Sequence, residues 1–246
     1  MKNLILTLAL LVSVSTVSAQ NWSTKKTKGN GNIVTEERIV NEFNKLKVSG
    51  SFRVVLTAER SKELSIKTDE NLMESIITEV KEGTLVIKMK KNYYLKPSNH
   101  KAIAVEVPLY ALKEIALSGS GSIRSKEQIK TGQLEVKMSG SGKIIVGVAA
   151  KAVEAVLSGS GRIELNGSSA KLEANLSGSG SIRAKELKAE DGEFSVSGSG
   201  RIEANISDEL EARISGSGSV RYLGTSSTRV YSKVNGSGSV KEIKSY

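Results

Sequence analysis

The sequence predicts an all-β protein. We expect a parallel β-helix, a solenoid with rungs of about 20 residues, preceded by a β-rich N-terminal part that contains a hairpin. A four-residue block, Ser-Gly-Ser-Gly, recurs at short and regular intervals, which is typical of a solenoid whose repeats cover one another's apolar faces. The block begins at Ser118, Ser139, Ser158, Ser177, Ser197 and Ser215, and a variant, Asn-Gly-Ser-Gly, begins at Asn235.

Apolar residues occupy fixed positions around each block. Every residue before a block is apolar, and the sixth residue counted from its first serine is Ile or Val, as in Leu157 and Ile163. Further from the block, apolar and polar residues alternate with period two, which places one side of a strand in a core and the other in water. Each repeat is therefore predicted to contain a strand, a glycine corner and a second strand.

The repeat length excludes the main alternatives. A pair of helices needs a longer repeat, and glycine at two of every four corner positions disfavours helix. The Leu and Asn/Cys consensus of leucine-rich repeats is missing. The seven blocks predict seven rungs. Stacked roughly 4.8 Å apart, these rungs would form a rod on the order of 30 Å long.

The corner glycines have two alternative explanations. The alternation predicts that both glycines of a block point inward, where a side chain would collide with the next rung, while both serines point to water. Alternatively, the glycines supply positive φ in a turn. These structural corners are Gly119, Gly121, Gly140, Gly142, Gly159, Gly161, Gly178, Gly180, Gly198, Gly200, Gly216, Gly218, Gly236 and Gly238.

The first residues indicate export. Lys2 precedes an apolar run that is too short to span a membrane, and Val17-Ser18-Ala19 fits a cleavage site, so residues 1–19 are predicted to be a signal peptide. Residues 20–36 are interpreted as a flexible basic leader, and residues 37–246 as a single β-helix domain. The chain contains no cysteine, so it forms no disulfide.

The N-terminal part of the domain is predicted to be β-rich. Strands are expected over residues 64–68, 76–80, 84–88 and 103–107, with a hairpin at Lys81-Glu82-Gly83. Residues 71–80 also fit a helical spacing, but their β-branched residues favour a strand. Residues 48–54 resemble a degenerate repeat with Phe52 near the β-branched position.

A basic stretch is the candidate binding surface. The chain has a formal net charge of +10, and the stretch from Lys88 to Lys101 contains no acidic residue. Its tyrosines could stack on a sugar ring while its lysines meet acidic groups. The alternative is a solvated hairpin tip whose lysines discourage strand addition. The candidate residues are Lys88, Lys90, Lys91, Tyr93, Tyr94, Lys96 and Lys101.

The sequence offers no catalytic constellation. His100 is the only histidine and has no carboxylate nearby in sequence, and aspartate occurs only singly. Glutamates such as Glu154, Glu173 and Glu211 alternate with basic residues, which is typical of an exposed strand face. The corners lack the helix and lysine that phosphate-binding loops require. We therefore expect no enzyme, no metal and no cofactor.

The run from Phe43 to about Lys241 resembles a known family. The resemblance rests on three features: the pattern Phe43-x-x-Leu46-x-Val48-x-Gly50, the strand that begins at Gly83, and repeated corners such as Leu157 to Ile163. These resemble the putative auto-transporter adhesin head GIN domain, a family of exported proteins of Bacteroidetes-type bacteria. The resemblance implies a right-handed β-helix in the periplasm or on the surface of a Gram-negative bacterium.

Two function classes follow. The first is a non-catalytic envelope-binding or adhesion-type module whose partner is an acidic glycan or an envelope protein. The alternative is a structural element that self-assembles into a homo-oligomer through its rod ends, and a polysaccharide-acting enzyme is less favoured. Nucleic acid is not an expected partner of an exported chain, and no transmembrane segment is expected after signal removal.

Overall fold

The computed structural model describes residues 25–57, 61–98 and 102–244. The predicted signal peptide (residues 1–19) lies outside the described residues. So do residues 20–24, His100 and Lys101. The first nine strands are β1 (Lys25–Lys28), β2 (Ile33–Ile39), β3 (Lys45–Ser49), β4 (Arg53–Thr57), β5 (Glu63–Asp69), β6 (Ile76–Lys81), β7 (Thr84–Met89), β8 (Tyr93–Lys96) and β9 (Ala104–Pro108), with a short helix, α1 (Glu70–Met73), between β5 and β6. The remaining strands are β10 (Glu114–Gly119), β11 (Ser122–Gly140), β12 (Lys143–Gly159), β13 (Arg162–Gly178), β14 (Ser181–Gly198), β15 (Arg201–Gly216), β16 (Ser219–Leu223), β17 (Arg229–Asn235) and β18 (Ser239–Glu242).

These strands form a β-solenoid of about 6 turns, and its rungs pair in parallel at equivalent repeat positions. Ile163 pairs with Ile182, which pairs with Ile202, so the predicted register is confirmed.

Each long strand runs from one glycine corner to the next, so the solenoid has two columns of paired segments. The first column contains the segments that precede the corners and runs from β6 and β7 through β3 and β10 to β17. The second contains the segments that follow the corners and runs from β2 through β5, β9 and β4 to β16 and β18. Each column ends in a strand that has a single paired edge within the described residues.

The core is a thin stack of aliphatic side chains between these columns. Residues such as Ile144, Ile163, Ile182 and Ile202 are fully buried. In one rung a small residue replaces a large one at one core position, and a large residue replaces a small one two residues later. Gly192 pairs with Leu172 and Leu210, and a β-carbon on it would lie 2.9 Å from the Phe194 ring. The missing side chain therefore leaves room for the phenyl ring.

Both explanations of the corner glycines hold: the first glycine of a block supplies positive φ, and both glycines lie where a side chain would collide with the previous rung. The first glycine has a left-handed φ, for example 113° at Gly178. The second, Gly180, is buried against the previous rung. A β-carbon on either would lie 2.6 Å from a carbonyl oxygen of the rung below, that of Gly159 or Gly161. The serine between them, Ser179, is exposed, as the alternation predicts.

The first corner departs from the block at its second glycine. Residues 48–54 do form a copy of the repeat, since Val48 pairs with Leu117 and Val54 with Ile123. Phe52 therefore occupies the position of the second glycine, and the prediction that placed it near the β-branched position is wrong. At the neighbouring Gly50 a β-carbon would meet the side chains of Met89 and Phe52, whereas at the later corners it would meet backbone of the previous rung.

Two N-terminal interpretations need correction. Residues 20–36 are not a flexible leader over their described part, because β1 pairs with β8 and β2 pairs with β5. Both pairings are long-range, so local composition gives no sign of them. Residues 70–73 are helical, whereas residues 76–81 form the predicted strand. The hairpin is confirmed, with positive φ at Glu82 and Gly83.

Replacing Gly178 by Ala should destabilise the protein much more than replacing the adjacent Ser179 by Ala. The new β-carbon at Gly178 would meet backbone of the previous rung and would require a strained φ. We expect a loss of about 1–3 kcal/mol in the free energy of unfolding for Gly178→Ala, against roughly 0.5 kcal/mol or less for Ser179→Ala. Denaturant melts measure both, and equal losses would contradict the inside and outside assignment.

Candidate functional site

The N-terminal lysines and the predicted basic stretch meet in one small sheet. Strands β1 and β8 pair in parallel, with Lys25 opposite Tyr93 and Lys28 opposite Lys96. We call this pair, residues 25–28 and 93–96, the basic ribbon. It contains no acidic residue. The structure thus adds three lysines to the predicted site that sequence reasoning had assigned to a leader.

Side-chain alternation gives the basic ribbon two different faces. On the inner face Leu95 is buried and Tyr93 is half-buried, with the Lys25 ammonium 5.4 Å from the centre of the Tyr93 ring. On the outer face Tyr94 is 55% exposed. The two tyrosines therefore point to opposite sides and do not form a single stacking platform. The outer face consists of Lys26, Lys28, Tyr94 and Lys96.

Of the other predicted lysines, Lys88, Lys90 and Lys91 belong to segments that precede the ribbon strand β8. Lys88 belongs to the β6–β7 hairpin, and its ammonium lies 3.0 Å from Oε1 of Glu79. Hydrogen bonds from Lys81 and Lys88 hold the pKa of Glu79 below its ordinary value. Lys90 and Lys91 are exposed in the connection that leads to β8. Lys88 therefore has a carboxylate partner from a neighbouring strand that the local sequence does not reveal.

A buried carboxylate anchors the basic ribbon. Asp69 is fully buried, and its two oxygens accept hydrogen bonds from the backbone N–H groups of Gly31 (2.8 Å) and Ser98 (3.0 Å). Burial alone would raise the pKa of Asp69, but the hydrogen bonds from Ser98 and Gly31 outweigh it and lower the pKa. A β-carbon on Gly29 would lie 2.3 Å from this carboxyl group. Asp69 thus fixes the chain just after both strands of the ribbon, a role that an isolated aspartate in the sequence does not signal.

An apolar cleft of about 330 Å³ lies beside strand β8 of the ribbon. Phe52, Met89, Leu95 and Ile103 contribute apolar surface, and the exposed Tyr94 also lines the cleft. The remaining lining residues are Ser51, Lys96, Pro97, Ala102 and Ser120.

A second charged feature runs along the first column. Six glutamates, one in each successive rung, pair with one another in register and form a glutamate ladder. Sequence reasoning noted that such residues alternate with basic ones but missed their stacking. The signal was available, because each glutamate stands four residues before its block. The ladder consists of Glu114, Glu135, Glu154, Glu173, Glu193 and Glu211.

Cations compensate the ladder unevenly. At one end Lys47 lies 3.5 Å from Glu114, and towards the other end Lys171 lies 3.3 Å from Glu193. In the middle the position two residues after the glutamate is Val156, where the previous rung has Lys137. Burial raises the pKa of Glu154, and the neighbouring carboxylates of Glu135 and Glu173 raise it further.

Comparison with known proteins identifies the family. The family model described as "putative auto-transporter adhesin, head GIN domain" matches residues 42–226. The chain belongs to this family. The predicted resemblance is thereby confirmed, and no curated protein matches the chain.

Solved structures share the fold of this head GIN-domain chain. A putative lipid binding protein from Parabacteroides distasonis is 29% identical, with a TM-score of 0.75 over 89% of this chain and 100% of that one. A putative adhesin from Bacteroides fragilis is 24% identical, with a TM-score of 0.76 over 88% of this chain and 100% of that one. A putative adhesin from Parabacteroides merdae is 24% identical, with a TM-score of 0.70 over 89% and 99%.

The described residues of the head GIN-domain chain hold no group of three or more His, Cys, Asp or Glu side chains that could bind a metal ion. The same residues include no helix long and apolar enough to cross a membrane.

Replacing Glu154 by Gln should stabilise the head GIN-domain fold at neutral pH. Because the pKa of Glu154 is raised on folding, its charged form destabilises the fold, and stability should increase as pH falls through the folded pKa. Removing the charge should raise the free energy of unfolding at pH 7 by a few tenths of a kcal/mol, since like-charge pairs on a sheet are worth roughly 0.2–1 kcal/mol and solvent screens this one.

The gain should disappear in acid, where wild-type Glu154 is itself protonated. Glu135→Gln is the matched control, because it removes an ion pair with Lys137 and should give no gain. Urea melts at several pH values measure both effects. A loss of stability in Glu154→Gln at pH 7 would contradict the uncompensated ladder.

Proposed function

We propose that this protein is an exported, non-catalytic module of the cell envelope that binds an acidic glycan through the outer face of the basic ribbon. The observation that carries the proposal is the pairing of β1 with β8, which joins two basic segments that are distant in sequence. Membership of a family described as adhesins supports an adhesion-type role. The predicted signal peptide supports export.

The chemistry of the outer face suits a polymer that carries both charge and sugar rings. Three lysines, Lys26, Lys28 and Lys96, share the outer face with one exposed tyrosine ring, that of Tyr94. Lysines act as hydrated point charges for carboxylate, phosphate or sulfate groups. The Tyr94 ring offers a flat apolar surface on which a sugar can stack. Anchoring by Asp69 holds this arrangement in place before a ligand arrives, which reduces the ordering cost of binding.

The adjoining cleft favours a second candidate, an anionic amphiphile of the envelope. Its apolar lining by Phe52, Met89, Leu95 and Ile103 could take an acyl chain while the ribbon lysines meet the charged headgroup. A similar protein of known structure is named a putative lipid binding protein, which supports testing this class as well.

Reversing the ribbon charges should abolish binding to an anionic glycan. We expect the triple variant Lys26→Glu, Lys28→Glu, Lys96→Glu to lose binding to polygalacturonate, a carboxylated polymer, in an isothermal titration or a pull-down. Wild-type binding should also weaken with salt, because the Debye length shrinks from about 10 Å at 0.1 M to roughly 3 Å at 1 M.

A matched triple change elsewhere separates this surface from overall charge. Lys126→Glu, Lys130→Glu, Lys188→Glu alters the same number of exposed lysines on the solenoid and should leave binding nearly unchanged. Neutral dextran serves as the uncharged polymer, and anionic lipid vesicles test the second candidate. Equal losses in both triple variants, or binding that resists high salt, would contradict a specific role of the ribbon.

A further inference from the structure

The two ends of the solenoid differ in whether the core and the terminal strands are covered. At the N-terminal end, α1 covers the core with the buried side chains of Leu72 and Met73. Arg38 lies across the same end, donating hydrogen bonds to the carbonyl oxygens of Ile76 (2.8 Å) and Met73 (3.2 Å), and it pairs with Glu36. Charged side chains at core-facing positions of a terminal strand, together with a covering helix, protect an edge against pairing with another chain. The N-terminal end is therefore capped.

The C-terminal end lacks such a cap among the described residues. Strand β17 pairs with β15 along one edge, and β18 pairs with β16 along one edge. On the core-facing side of β17, Val230 is 36% and Val234 is 38% exposed, whereas their partners in the rung below, Leu210 and Ile214, are buried. The last rung therefore presents both unpaired backbone groups and apolar side chains.

The sequence of β17 complements itself when a second copy runs antiparallel. With Ser232 opposite its own equivalent, Val230 falls opposite Val234 on the core-facing side. On the outer side Tyr231 falls opposite Lys233, a pair that allows a cation–π contact. Arg229, which falls opposite Asn235, is already neutralised within its own chain by Asp208 and Glu209, each 3.2 Å away. This register places no like charges directly opposite one another.

We propose that this end is an interface between two copies of the chain, in which β17 pairs antiparallel with β17 of the second copy. The interface is isologous, so each copy supplies the same surface and the contact uses up both open ends. The capped N-terminal end blocks head-to-tail growth. Association therefore stops at a dimer in which the two rods lie end to end, and this inference does not depend on the proposed ligand.

A single engineered cysteine tests the two-fold register directly, because the natural chain contains none. Directly opposed residues of antiparallel strands lie roughly 4.5–5.5 Å apart at their Cα atoms, within the range of about 4.4–6.8 Å that a disulfide needs. Under mild oxidation Ser232→Cys should form a covalent dimer. Ser160→Cys, at an exposed corner in the middle of the rod, is the matched control and should remain monomeric.

Sedimentation velocity over a concentration series tests the unmodified protein. Wild type should shift from monomer to dimer and no further. Val234→Lys places an unpaired charge in the interface and should raise the dissociation constant by more than about tenfold. The same change at Val156, a half-buried residue on the side of the rod, should not.

Each alternative outcome overturns the proposal. A wild type that stays monomeric at every concentration, a series of growing oligomers, or equal crosslinking of the two cysteine variants would each do so. Circular dichroism melts of every variant establish that it is folded, so that loss of dimer is not confused with loss of structure.

Discussion

The close approach of backbone at the corners sets the geometry of the whole solenoid. In the middle of the rod the corner leaves 2.6 Å between a carbonyl oxygen of one rung and the place where a β-carbon of the next would sit. Only glycine fits there, and the same residue also supplies the left-handed φ that turns the chain. Since each corner from Gly119 onward meets the corner of the rung before it, these corners fix the register of the segments between them.

This register stacks similar residues of successive rungs on one another. The stacking stabilises the protein inside the core but brings like charges together on the surface. Inside, stacked isoleucines form a continuous core that needs few aromatic rings. Outside, the same rule stacks six glutamates, and the fold tolerates them because lysine and arginine side chains reach across from neighbouring positions. At Glu154 burial raises the pKa of the carboxyl group, and the stacked carboxylates of Glu135 and Glu173 raise it further.

Features that do not repeat are concentrated at the ends of the rod. Phe52 takes the place of a corner glycine, α1 and Arg38 close the N-terminal end, and β1 pairs with β8. These additions create the basic ribbon and its cleft. The proposed binding surface therefore lies at the irregular N-terminal end and not along the uniform rungs.

The repeats made the solenoid predictable, because a fixed offset pattern determines both the strands and their register. Ile163, Ile182 and Ile202 could be paired from their positions alone. The N-terminal region was harder to predict. The pairing of Lys25 with Tyr93 joins two segments that share no repeated sequence pattern. The role of Asp69 depends on hydrogen bonds from Gly31 and Ser98, which are distant from it and from each other in sequence. Local pattern carries no information on such contacts, which is why the leader was misassigned and the site was only half found.

Removal of whole or partial rungs tests the central claim most directly. Deleting residues 158–176, one full repeat, joins Leu157 to Ser177 and restores a complete corner block. If corner stacking fixes the register, this shortened protein should keep a β-sheet circular dichroism spectrum and a single cooperative unfolding transition. Deleting only residues 158–167 removes one corner and leaves the following segment without its partner, so that protein should lose cooperative unfolding. If both deletions unfold alike, whether both stay cooperative or both collapse, the claim that stacked corners hold the fold in register is contradicted.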